Sequence, residues 1–259
     1  MPDPAVATSD LPVVNADGCI EKDVSAADDP MSACVYGAAG AARRAVLVGD
    51  SHAAQYSTPL IGAADRAAWS MQVMVRNGCP FTAIGPNDGG GPVASCSDQN
   101  LRLRDLILAE RPALVVTSAL SERGYARDLG WTWSSPEEMA RGYQQMWQPL
   151  VDAGIPLVVV ADTPLPAPAS VPECVEQNGP SSDRCTTSRL DGTGDGPDPL
   201  VLAARGMEGV RVVDPTDRVC TGDTCPAVVG NVLVYRDNHL TDTYARSLTG
   251  FLAETVGIS

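Results

Sequence analysis

Five short runs rich in apolar residues decide what this chain can become. They span residues 44–49, Met71–Arg76, Ala113–Ser118, Pro156–Val160 and Val210–Val213. Each has the length of a strand and is too short for a core helix. Where the apolar character is continuous rather than alternating, the strand is buried on both faces. Helical signals separate them. Ser57-Thr58-Pro59 puts a cap and a first-turn proline before a helix of about 59–68, and a second helix covers about 98–110. Ser135-Pro136-Glu137-Glu138 opens a third helix with a capping serine and a glutamate three residues on. That helix carries Met139, Tyr143, Met146, Trp147 and Leu150 on one face. A short helix at 198–206 follows, and Thr241 caps a last one lined by Tyr244, Leu248, Phe251, Leu252 and Thr255. Strands alternating with helices predict a three-layer α/β/α domain around a mainly parallel sheet of about five strands. A chain of 259 residues suffices for one such core.

Eight cysteines stand at 19, 34, 79, 96, 174, 185, 220 and 225. Their even number and local clustering suit disulfides in an oxidising compartment. Sequence proximity selects Cys19–Cys34, Cys79–Cys96, Cys174–Cys185 and Cys220–Cys225. The rival is zinc, but no CxxC spacing occurs and only two histidines are present. No metal or dissociable cofactor is expected. A formal charge of -14 argues against nucleic acid and against anionic membrane surfaces.

Residues 1–18 are polar and rich in proline and alanine, and read as a linker. Residues 19–42 read as a disulfide-closed N-terminal extension enclosing an acidic loop, and 43–259 as the main domain. Met1-Pro2-Asp3-Pro4 lacks the basic and apolar parts of a signal peptide. With so many cysteines, the chain is expected to be a mature form or a domain of a longer membrane-bound polypeptide. The proline-rich segment 161–196, with its cysteine pair, reads as an ordered flap. Val228 to Val234 reads as a further short strand or hairpin.

The first strand stops at Gly49-Asp50-Ser51-His52. Gly49 permits a sharp turn, and Asp50 and Ser51 suit the start of a helix. A serine at the carboxyl end of a buried strand sits where open α/β sheets do chemistry. Its base must be a histidine. His52 is adjacent in sequence, where side chains diverge, and reads as structural. His239, in Asp237-Asn238-His239-Leu240-Thr241, has an aspartate two residues ahead to orient it.

These two motifs resemble the SGNH (GDSL-like) hydrolase superfamily, and within it SGNH domains fused to multi-span membrane acyltransferases of bacteria. Asn77-Gly78-Cys79-Pro80 after the second strand, Asp214-Pro215 after the fifth and a cysteine pair before the histidine agree with that group. The resemblance covers about 43–256. It implies Ser51 as nucleophile and His239 as general base. The family aspartate usually stands three residues before the histidine, a place held here by Arg236. Asp237 is the substitute, with Asp242 and Asp214 as lesser candidates. For the oxyanion and substrate it points to Gly78, the Ser51 backbone N–H, a donor near Ser118, and Asp50. The family asparagine is missing after the third strand, and Gly85-Pro86-Asn87-Asp88 reads as turn chemistry.

Several of these residues also have plainer readings. Ser51 can be a helix cap alone, His239 a packing residue and Asp237 a turn residue. Trp131 and Trp133 can stack on sugar or pack in the core. Asp191 to Gly196 lacks the ligand pattern of a calcium loop and reads as a flexible turn. The expected function is serine-dependent O-acyl transfer, acetyl first, to a cell-surface glycan or glycolipid. The expected partners are an acyl donor, a glycan acceptor and an integral-membrane acyltransferase domain, on the extracytoplasmic side of a membrane. The alternatives are a carbohydrate O-acetyl esterase and a degenerate glycan-binding or docking module.

Overall fold

A computed structural model describes residues 4–21 and 34–258. The acidic loop between Cys19 and Cys34 lies largely outside the described residues. Seven strands form the central sheet. They are β1 (Ile20–Glu21), β2 (Cys34–Gly37), β3 (Arg44–Gly49), β4 (Ser70–Arg76), β5 (Leu114–Ser118), β6 (Leu157–Val160) and β7 (Val210–Val213). From β4 the order runs β4–β3–β5–β6–β7, every pair parallel. Five of the strands are those expected from the apolar runs. The other two come from the N-terminal region and share the free edge of β4. There β2 pairs antiparallel with Ser70–Val73, and β1 parallel with Val75–Arg76.

Pleating sends alternate residues to opposite faces. Ala45 and Leu47 join one core with Leu60, Tyr244 and Leu252, whereas Val46 and Val48 join another with Ile107, Tyr143 and Trp147. Helices therefore cover both faces, as a parallel sheet requires. The principal ones are α1 (Ser51–Ala54), α2 (Ser57–Arg66), α3 (Ala94–Glu110), α4 (Pro136–Asp152), α5 (Pro199–Ala204), α6 (Asp242–Ser247) and α7 (Thr249–Val256). The cap of α4 is as expected, with Ser135 Oγ accepting from Glu138 N at 3.2 Å. Thr241 caps α6 in the same way, through Tyr244 N at 3.1 Å.

All four disulfides form with the expected partners. The segment 161–196 holds a helix, Val171–Asn178, and a short strand, Thr187–Ser188, paired with Thr224–Cys225. Within it, Arg189–Thr193 forms a turn of helix capped by Ser188, so residues 191–193 of the expected flexible turn are helical.

The linker expected at residues 1–18 is not one over its described part. Ala7 and Val14 are buried in the core shared with α2 and the C-terminal helices. The Asp10 carbonyl accepts from Asp242 N, its carboxylate accepts from Thr243 N at 3.1 Å, and Thr58 Oγ1 accepts from Val13 N at 3.1 Å. Composition misleads here because small apolar residues bury well without a periodic pattern. Such burial and hydrogen bonding stabilise by roughly 3 kcal/mol. A chain beginning at Cys19 is therefore expected to lose about 2–4 kcal/mol in urea unfolding. An unchanged midpoint would return this segment to linker status.

Candidate active site

The strand order reverses between β3 and β5, and in open α/β sheets the crevice above that point receives ligands. Gly49 ends β3 with φ at +136°, and a Cβ there would lie 2.2 Å from the Ser118 carbonyl oxygen. Only glycine lets β3 and β5 stay this close while the chain turns into α1. Asp50 caps α1, its carboxylate accepting from His52 N at 2.8 Å and from Ala53 N at 3.4 Å. Its second oxygen accepts from Leu120 N at 2.9 Å and from the Tyr125 hydroxyl. Burial pushes this carboxyl group up, and the His52 charge with the Tyr125, Leu120 N and His52 N donors pulls it only part of the way back. Asp50 lines the cavity beside Ser51, with its carboxylate engaged as an acceptor by these four donors.

Ser51 is left at the first position of α1, lining a cavity of about 430 Å³. The first N–H groups of a helix lack intrahelical partners. Asp50 takes those of His52 and Ala53, so the Ser51 N–H remains to face a ligand. Asn77 and Gly78 line the same cavity, with Gly78 at φ +68°. Their loop is anchored by the Cys79–Cys96 disulfide and by Asn100, whose amide donates to the Pro80 and Thr82 carbonyls at 2.7 and 3.0 Å. Ser118 does not reach the cavity. It is fully buried in register with Gly49, and its Oγ has no partner. The loop beyond it supplies Leu120, Tyr125, Asp128 and Trp131 to the cavity instead.

His239 arrives from the other end of the chain. Residues 235–240 fold into a tight loop, closed by the Tyr235–Leu240 bridge and by Arg236 N donating to the His239 carbonyl at 3.0 Å. Leu240 N donates to Gln55 Oε1 at 2.8 Å, tying this loop to the end of α1. One oxygen of Asp237 accepts both from the His239 backbone N–H and from ring Nδ1, each at 2.7 Å. The carboxylate folds back over its own turn, so the two-residue spacing still orients the ring. Asp214 and Asp242 are engaged elsewhere, the first capping at Thr216 N and the second paired with Arg246 at 2.6 Å.

With Nδ1 committed to Asp237, the free nitrogen is Nε2, which is buried and without a hydrogen-bond partner. Burial, then the charge of His52, draw His239 down to about 4 against the upward pull of Asp237. The ring is therefore neutral at pH 7. Burial pushes Asp237 up, but the hydrogen bond and charge of His239, with Arg236, win and hold it at about 2.

The residues that sequence reasoning missed lie behind His239. His52 is fully buried, and its Nδ1 donates to Asp162 Oδ1 at 2.6 Å. Its ring centroid stands 4.3 Å from that of His239. Asp162 follows the carboxyl end of β6, and that position was the available signal. Of the two tryptophans, Trp133 is core, donating from Nε1 to the Ile84 carbonyl at 2.8 Å. Trp131 lines the cavity, parallel to Tyr125. Pro12, Asn15 and Ile20 complete the wall from the N-terminal side. Asn87 makes the expected turn, its Oδ1 accepting from Gly89 N at 2.8 Å.

The model of the SGNH domain fused to AT3 domains matches residues 18–254. The chain belongs to that family. Its fold is an SGNH enzyme fold. Among solved structures it is similar to the periplasmic domain of a lipopolysaccharide acetyltransferase from Salmonella ser. Paratyphi A. That likeness has a TM-score of 0.64 at 14% identity and covers 97% of this chain and 98% of that one. A putative acylhydrolase from Bacteroides fragilis matches at TM-score 0.49 and 12% identity, over 85% of this chain and 89% of that chain. An acetyl-xylooligosaccharide esterase mutant from Geobacillus matches at 0.49 and 11%, over 84% and 95%. No curated protein sequence matches.

Gly49→Ala tests the turn that presents Ser51. The added methyl meets backbone, which cannot swing aside, so a loss on the order of 3 kcal/mol or more in thermal unfolding is expected. A protein with wild-type melting would show that the close approach of β3 to β5 is dispensable.

Proposed function

We propose that this SGNH domain transfers an O-acyl group, acetyl first among the candidates, to a hydroxyl of a cell-surface glycan or glycolipid through an acyl-Ser51 intermediate. The observation that carries the proposal is one cavity lined by both Ser51 and His239, with Asp237 on the far nitrogen of the imidazole. His239 Nε2 takes the Ser51 proton as Oγ attacks the carbonyl carbon of the donor. The tetrahedral oxyanion is received by the Ser51 and Gly78 N–H groups. Collapse breaks the bond to the leaving group, which departs with the proton from His239. The acceptor hydroxyl then repeats the sequence in reverse, giving its proton to His239 and leaving with the acyl group. Asp237 keeps the ring in the tautomer with Nε2 free and stabilises its transient charge.

The shifted aspartate would favour a degenerate binding module if it left His239 unoriented, and Asp237 at 2.7 Å removes that argument. Water in place of the acceptor hydroxyl gives the esterase reading with the same intermediate. Trp131 beside the cavity supports a sugar acceptor, since an aromatic face and a sugar ring bury apolar surface together. Four disulfides support an extracytoplasmic location. Among the described residues no helix is long and apolar enough to cross a membrane. The family's fusion to AT3 domains supports a membrane acyltransferase as the source of the acyl group.

Ser51→Ala is expected to lower kcat on a chromogenic acetyl ester by about 10⁴-fold or more, and to abolish labelling by a serine-reactive phosphonate. Full activity in that variant ends the proposal. Adding a glycan acceptor is expected to accelerate release of the chromophore, whereas acceptor-independent release supports the esterase. Because His239 works as a base when unprotonated, kcat/KM is expected to hold as pH falls below 6.5 and to decline only near 4.

A further inference from the structure

The mechanism above leaves unused a deeply buried aspartate–histidine pair behind His239. His52 is wholly enclosed, and the Asp162 side chain is only 4% exposed. Asp162 is committed on every side. One oxygen takes His52 Nδ1 and the Thr163 N–H at 2.9 Å, and the other takes Ser121 N at 2.8 Å. This fixes the carboxylate, which in turn fixes the His52 ring. The opposite edge of that ring, Nε2, has no hydrogen-bond partner, and the ring lies tilted at 39° against His239. Two Asp–His pairs, one from β6 and α1 and one from the C-terminal loop, thus meet ring to ring.

A purely packing role would be served better by an aromatic or aliphatic side chain. Burying an imidazole on a carboxylate carries a desolvation cost that no apolar residue incurs. We propose that His52, held by Asp162, is a positioning residue for His239: it fixes the plane of the base and, by its charge, keeps the base from holding a proton between turnovers. The inference rests on the reading of His239 as the base.

The charges around the pair support this. Burial pulls His52 down, but the charge and hydrogen bond of Asp162, then the charges of Asp50 and Asp237, lift it above its ordinary value. His239 faces Asp237 and Arg236 on its own loop and His52 from α1, and after burial the charge of His52 is the largest influence lowering it. Across the cavity Asp128 is held by Arg127 at 2.6 Å and by the Asn238 amide at 2.7 Å, so its charge is already matched. A like charge at this distance disfavours protonation of its neighbour. Protonation is thus favoured at His52, where Asp162 balances the charge, and disfavoured at His239, which is left to accept a proton from Ser51.

The chain has only two histidines, so NMR titration of untagged protein resolves both imidazoles without ambiguity. Wild type is expected to show one ring protonating near 4 and the other above the ordinary histidine range. In His52→Gln, whose amide can still donate to Asp162, the His239 titration is expected to rise by about one unit or more. The acid limb of kcat/KM on the acetyl ester should rise with it. A folded His52→Gln protein in which His239 titrates as in wild type overturns the proposal. Should that variant not fold, Asp162→Asn serves, with the His52 titration expected to fall. Two imidazoles unmoved by Asp162→Asn also overturn it. The expected NMR shifts in a protein with no acyl-transfer or esterase activity would leave this coupling standing and sink the proposed function instead.

Discussion

Leu240 N–H and Gln55 Oε1, 185 residues apart, meet at 2.8 Å in a buried setting. A hydrogen bond of this kind contributes only about 0.5–1.5 kcal/mol net, yet leaving either group unpaired there costs more. Its importance is positional. Gln55 closes the short helix that Ser51 opens, and Leu240 follows the histidine. The bond therefore locks the register between the two parts of the site, which no local sequence preference could do. The sheet sets where Ser51 stands and the terminal helices set where residues 235–240 can run. The Gln55 amide joins the two placements.

Asp50 does the same work on the other side of Ser51. Four donors converge on one carboxylate: two from α1, one from the loop after β5 and one from Tyr125. An aspartate beside a serine invites a chemical reading, but the geometry makes it the brace of the turn. Such a brace fixes the turn that places Ser51 at the cavity wall.

Much of this was legible in the sequence, and for identifiable reasons. Apolar runs such as Val46–Val48 and Val158–Val160 announce themselves because strands buried on both faces admit almost nothing else. The disulfide pairs follow from short separations in the chain. The serine and its histidine were visible as motifs at either end. What could not be read were contacts fixed only by tertiary packing. His52 looked inert because adjacent side chains diverge, and they do, but the divergence sends it onto Asp162 and behind His239. Ser118 had the right chemistry for a cavity wall and is buried away from it, while Asp50 stays on the wall with its carboxylate taken up by capping. The N-terminal segment was misread because proline and alanine carry no periodicity, so burial of Ala7 and Val14 left no trace in the pattern.

That segment gives the site an asymmetric rim. Residues that follow β3, β4 and β5 line the cavity with Ile20 of β1, while Pro12 and Asn15 line it from the N-terminal segment. This last side is held by a handful of hydrogen bonds, two small buried side chains and, beyond them, the Cys19–Cys34 bridge. Peeling residues 4–18 away costs far less than melting the sheet, so it is among the first parts of the molecule to detach in local fluctuations.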